Sequence, residues 1–86
     1  MPQFDISYRF KSGSEEHERK PADSIQGAVE IVESELASGS HWLHFDRGED
    51  QVFSVLKSEV VAFYAGVAYA MVPDKMGGFI RGEPMP

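Results

Sequence analysis

The 86-residue chain is acidic, with eight Lys and Arg against fourteen Asp and Glu for a formal charge of −6, and it contains no cysteine. These counts disfavour direct nucleic-acid binding, which depends on Lys and Arg displacing counterions from phosphates, and they exclude disulfide staples, thiolate metal sites and cysteine nucleophiles. A chain this short builds one core, so association with other chains would matter to its stability.

The charge is unevenly placed. Residues 1–20 and 57–86 each balance acids and bases, whereas between 21 and 56 Asp23, Glu30, Glu33, Glu35, Asp46, Glu49 and Asp50 face Arg47 alone. The whole acidic excess belongs to that middle segment.

Phe4, Ile6, Tyr8 and Phe10 alternate with Asp5, Ser7, Arg9 and Lys11, which predicts a strand with one buried face. Ser12-Gly13-Ser14 marks a turn, after which Glu15 to Lys20 has almost nothing to bury and reads as a polar edge strand or a loop. Asp23 and Gln26 have the spacing of a capping box, with Pro21 just upstream. A helix is therefore expected over residues 24–38, with Ile25, Val29, Val32 and Leu36 as its apolar stripe, Ala28 beside them, and Gly39 as a left-handed terminator. Glu30, Glu33 and Glu35 have no basic partner at the favourable i,i+4 spacing, so packing must hold this helix.

His41 to Phe45 and Gln51 to Leu56 read as a hairpin around the polar turn Asp46–Asp50, and Lys57-Ser58-Glu59 makes a second break. Thirteen uncharged residues follow, Val60 to Val72. The run falls short of the roughly 17 to 25 residues of a membrane-spanning helix. A strand is favoured over Val60 to Ala65, with a break or bend at Gly66; the competitor is a helix capped by Ser58 and stopped by Pro73. As a strand, the run points Val61, Phe63, Ala65, Val67, Tyr69 and Met71 one way and mostly small residues the other. A single helix covers one face of a small sheet, so the other face asks for a cover: the tail, a second copy or a different partner. Pro73 to Pro86, with three prolines and three glycines, reads as a loose tail.

The expected fold class is α+β, one helix on a small, mostly antiparallel sheet in the order β(β)αβββ. Residues 1–72 form the domain and 73–86 a flexible or partner-docked tail. Asp5, Arg9 and Lys11 interrupt any candidate leader, and a cytoplasmic location is expected.

Residues 28–66, AVEIVESELASGSHWLHFDRGEDQVFSVLKSEVVAFYAG, resemble a family of small uncharacterised actinobacterial proteins in the spacing of helix, small-Gly pair, short strand, polar turn, strand and final strand. That resemblance implies a fold and no functional residues. The same outline is similar in size and layout to some phage-encoded inhibitors of bacterial defence of the anti-CRISPR type.

Among chemical candidates, His41, His44 and Asp46 suit a metal by type, yet on a strand only His44 and Asp46 share a face, and His17 would have to complete the set from elsewhere. No metal or cofactor is expected. Acid/base chemistry by Asp46, Glu49 and Asp50 would need a pocket that separates their pKa values, whereas a polar turn leaves them solvated. No serine elbow, phosphate-cradling loop or dinucleotide fingerprint is present, and an enzyme is not expected. Of Trp42, Phe45, Phe53, Phe63, Tyr64 and Tyr69, most should be core. The favoured reading is a protein-interaction module, self-associating through its apolar strand, with Glu30, Glu33, Asp46, Glu49, Asp50, Tyr64 and Tyr69 as candidate contacts and another protein, or a second copy, as partner. The alternatives are an inhibitor whose carboxylates occupy a basic nucleic-acid-binding groove, and a small enzyme or ligand binder with a deep pocket at His44 and Asp46.

Overall fold

The period-two alternation of the first ten residues becomes the centre of the molecule. A computed structural model describes residues 1–86 as β1 (Gln3–Phe10), β2 (Glu15–Pro21), α1 (Ile25–Ala37), β3 (Trp42–Gly48), β4 (Gln51–Leu56), a single 3-10 turn (Lys57–Glu59), β5 (Val60–Val67), β6 (Tyr69–Pro73) and β7 (Phe79–Pro84). The chain is α+β, with one helix and antiparallel strand pairing throughout. The strands form a three-stranded sheet in the order β2-β1-β5 and two separate hairpins, β3-β4 and β6-β7.

Phe4, Ile6, Tyr8 and Phe10 all point into the core, joined by Ala22, by Ala28 and Val32 of α1, and by Leu43 and Phe45 of β3. Leu36, Phe53, Val55, Val60, Phe63 and Ala65 pack around them. Helix and β3-β4 hairpin thus share the inner face of the sheet. The Phe45 ring meets Tyr8 edge-on at 5.1 Å between centroids and stacks with Phe53 at 6.2 Å, a contact class that adds to simple burial.

Strand β2 is a strand although Pro21 is its only apolar side chain, because its inward residues find ionic partners. Glu16, Glu18 and Lys20 lie opposite Tyr8, Ile6 and Phe4. Glu16 binds Arg47 of β3. The Tyr8 hydroxyl donates to Glu18 Oε1 at 2.7 Å, and Lys20 Nζ reaches Glu18 at 3.2 Å and Glu35 of α1 at 3.1 Å. The helix therefore has a cation, supplied from β2, that its own sequence lacks.

Both ends of the helix differ from expectation. Ser24, not Asp23, is the N-cap, its Oγ accepting from the Gly27 N–H at 3.0 Å. At the other end Ser38 closes the helix in extended conformation, its N–H and Oγ both donating to the Glu35 carbonyl, and Gly39 is not left-handed. Serine serves at both ends because its short hydroxyl reaches backbone groups left free by the last turn.

The uncharged run is strand and not helix, and its break falls at Ala68, one residue beyond β5, not at Gly66. A bulge also resets its faces. Arg9 pairs with Ala62 but Phe10 with Val60, so Val61 is the extra residue and is exposed while Val60 turns inward. The outer face consists of Ala62, Tyr64 and Gly66 opposite Arg9, Ser7 and Asp5. That face is polar and needs no apolar cover, contrary to the expectation drawn from the sequence.

Residues 79–84, read in the sequence as part of a loose tail, form β7 and pair with β6. Gly82 permits the pairing: a Cβ there would lie 2.9 Å from the Ala70 carbonyl oxygen. The hairpin is anchored at its base, where Ala68 donates to Gln3, Met85 donates to Ala68, and Gln3 donates to Met85.

Candidate interaction surface

The two edges of the three-stranded sheet are built differently. An edge strand offers unpaired N–H and C=O groups to any other strand, and proteins commonly blunt such edges with charge, proline or inward-pointing charged side chains. Strand β2 uses all three: every residue but Pro21 and His17 is charged, Pro21 ends the strand, and Glu16, Glu18 and Lys20 point inward. Strand β5, VVAFYAGV, uses none. Its free edge is eight residues long and interrupted only by the bulge at Val61.

Outside β5 lies Tyr64, 55% exposed, with the Arg9 guanidinium 5.9 Å from its ring centre. Arg9 is held by Glu15 at 3.0 Å, and Arg19 by Asp5 at 3.1 Å. These surface pairs keep the outer face polar without adding much stability.

Two further apolar surfaces are bare. The outer face of β3-β4 carries the cross-strand pairs Trp42–Leu56, His44–Ser54 and Asp46–Val52, with Trp42 49% exposed. The β6-β7 hairpin has no buried residue; Met71, Val72, Phe79 and Ile80 are exposed on its strands and Met76 at its turn. Tyr69 is partly covered, by the Arg81 guanidinium 4.4 Å over its ring.

The acidic candidates fall into two groups. Asp46, Glu49 and Asp50 line one depression of about 630 Å³ with His44, Gly48, Gln51 and Val52, all seven residues exposed. Glu30 and Glu33 lie on the exposed side of α1 and do not join them. None of these five carboxylates has a cation within ion-pair distance. His44 instead shares a hydrogen bond with Ser54 at 2.7 Å, His17 one with Ser7 at 2.9 Å, and no three His, Asp or Glu side chains gather in metal-holding geometry. No helix is long and apolar enough to cross a membrane.

Two features escaped the sequence reading. The unprotected status of β5 depends on its pairing with β1 on one side only, and the exposed hairpin was hidden in what looked like a tail. The absence of charge in Val60–Val67 was the one sequence signal for the first.

Comparison with protein-family models, curated proteins and solved structures returns no match to this chain.

Proposed function

We propose that this protein is a small, non-enzymatic interaction module that self-associates through the free edge of β5. The observation that supports this reading is the contrast between two edges of one sheet. One is blunted by charge and proline; the other is left without a charge over eight residues. Strand addition joins backbone groups along such an edge, and side chains set the register.

A second copy fits that edge. Antiparallel pairing of two identical strands about a two-fold axis near Ala65 sets Tyr64 of each copy beside Gly66 of the other, an aromatic covering a glycine. The sheet then grows from three strands to six, with β2 as the charged edge at both ends.

The test is sedimentation equilibrium on the intact chain and on Tyr64→Lys. The native chain should run at twice its 9.6 kDa mass. Tyr64 is exposed, so Tyr64→Lys should keep the circular dichroism of the native fold while placing like charges across the axis and returning the protein to monomer. A native chain that stays monomeric up to millimolar concentration would sink this reading.

A further inference from the structure

The β6-β7 hairpin stands out from the body. It buries none of its residues, and the molecule measures 46 × 27 × 25 Å, its long axis exceeding the others by about the length of one short hairpin, ~20 Å at ~3.3 Å per residue. A two-stranded hairpin alone is marginally stable in water, and this one is apolar on both faces: Met71, Pro73 and Phe79 on one, Val72 and Ile80 on the other.

The outer face of β3-β4 has the complementary character. It is also two strands wide, of similar length, and apolar at Trp42, Leu56 and Val52. It ends in the Asp46, Glu49 and Asp50 carboxylates, which have no cation; the arm carries Lys75 beside Asp74 at its tip and Arg81 near Glu83, none of them ion-paired, so Lys75 and Arg81 are free to meet those carboxylates.

The topology decides which copy can bring them together. The arm leaves the C-terminal end of β5 at Ala68, while Trp42 and Leu56 lie at its N-terminal end, joined to it by the Lys57–Glu59 turn, whose Lys57 N–H donates to the His41 carbonyl. Eight strand residues, about 25 Å, separate the arm's base from the patch in its own chain. In an antiparallel pair of β5 strands the C-terminal end of each meets the N-terminal end of the other.

We infer that the β6-β7 arm of one copy lies along the outer face of the β3-β4 hairpin of a second copy, its Met71 and Phe79 against Trp42, Leu56 and Val52 and its Lys75 toward the Asp46–Asp50 turn. This contact rests on the β5-mediated pairing and extends it, each copy giving one arm and receiving another.

The absence of native cysteine makes the test clean. Full-length Ser54→Cys, on the receiving face, and Met71→Cys, on the arm, are prepared separately, mixed and mildly oxidised; Tyr64→Cys mixed with Gly66→Cys, where a side chain meets open space, reports β5 pairing in a separate sample. The mixture should yield a Ser54–Met71 linked dimer several-fold above either variant alone, and Lys75→Glu with Arg81→Glu in the Met71→Cys chain should reduce that yield. A Tyr64–Gly66 linked dimer without any Ser54–Met71 product would overturn the arm contact and leave the β5 reading standing. Linkage of neither would overturn both, and a Ser54–Met71 product without the Tyr64–Gly66 one would support the arm and move the fault to β5.

Discussion

Tyr8 holds the core and the rim of the sheet together, its ring among Phe45 and Phe63 and its hydroxyl on Glu18. Burial, then the hydrogen bond to Glu18, then the charges of Glu18 and Glu35 push its pKa well above the ordinary value of 10. For Lys20, burial disfavours the charged form, yet its ion pairs with Glu35 and Glu18 outweigh it, and its pKa lies above 10.5. Both groups keep a proton in the folded state that the unfolded chain loses. Their contribution is therefore complete below about pH 10 and declines as pH rises beyond it, with a slope approaching about 1.4 kcal/mol per pH unit for each retained proton. Urea unfolding between pH 9 and 12 should show this alkaline loss, shallower in Tyr8→Phe; an unchanged slope would place the titration elsewhere. The sequence marked Tyr8 as core by its alternation, but the partners of its hydroxyl lie on another strand and on the helix, and no local pattern reveals them.

The β3-β4 hairpin turns through Glu49 and Asp50, both left-handed, at φ 49° and 61°. Gly48 is left-handed too, at φ 72°, and relieves a bulge beside Arg47. Two positive φ values at a two-residue connection define the turn that Asn-Gly fits best, and a Glu is strained at the first of them. Glu49→Asn with Asp50→Gly should stabilise the protein by about 1 kcal/mol, read as a higher urea midpoint at unchanged slope. A lower midpoint would mean that these residues make a contact worth more than the strain they carry. The turn's position was legible from its polar run around Gly48, and the helix from its apolar spacing. The caps were harder, because Asp23 and Ser24 are both good N-caps and only the backbone at Ser24 decides between them. In β5 the period of two placed Phe63, Ala65 and Val67 on the face of Tyr8, Ile6 and Phe4 as expected, and the bulge exchanged only Val60 and Val61.

At the scale of the whole molecule, the apolar surplus is real but lies elsewhere than the sequence suggested. Val60–Val67 packs Phe63 and Ala65 against the core and is open along an edge, while Met71, Met76, Phe79 and Ile80 leave the larger exposed surface on the arm. Prolines and glycines masked that hairpin, although Gly77 and Gly78, both left-handed, form its turn and Gly82 its close approach. If copies associate as proposed, the thermal midpoint should climb by several degrees per decade of protein concentration, because only the folded state dimerises. A midpoint independent of concentration would mark a protein whose stability is set within one chain.

The position of β1 has a consequence for how the chain reaches this fold. One flank of β1 is filled at once by β2, a few residues later, but the other waits for β5, with Phe4 paired to Val67. Until residue 67 has been made, the strand that supplies most of the buried core has an open side. Such distant pairing slows folding. Until β5 joins, the only strand paired with β1 is the charged β2, and the second edge of β1 stays unpaired.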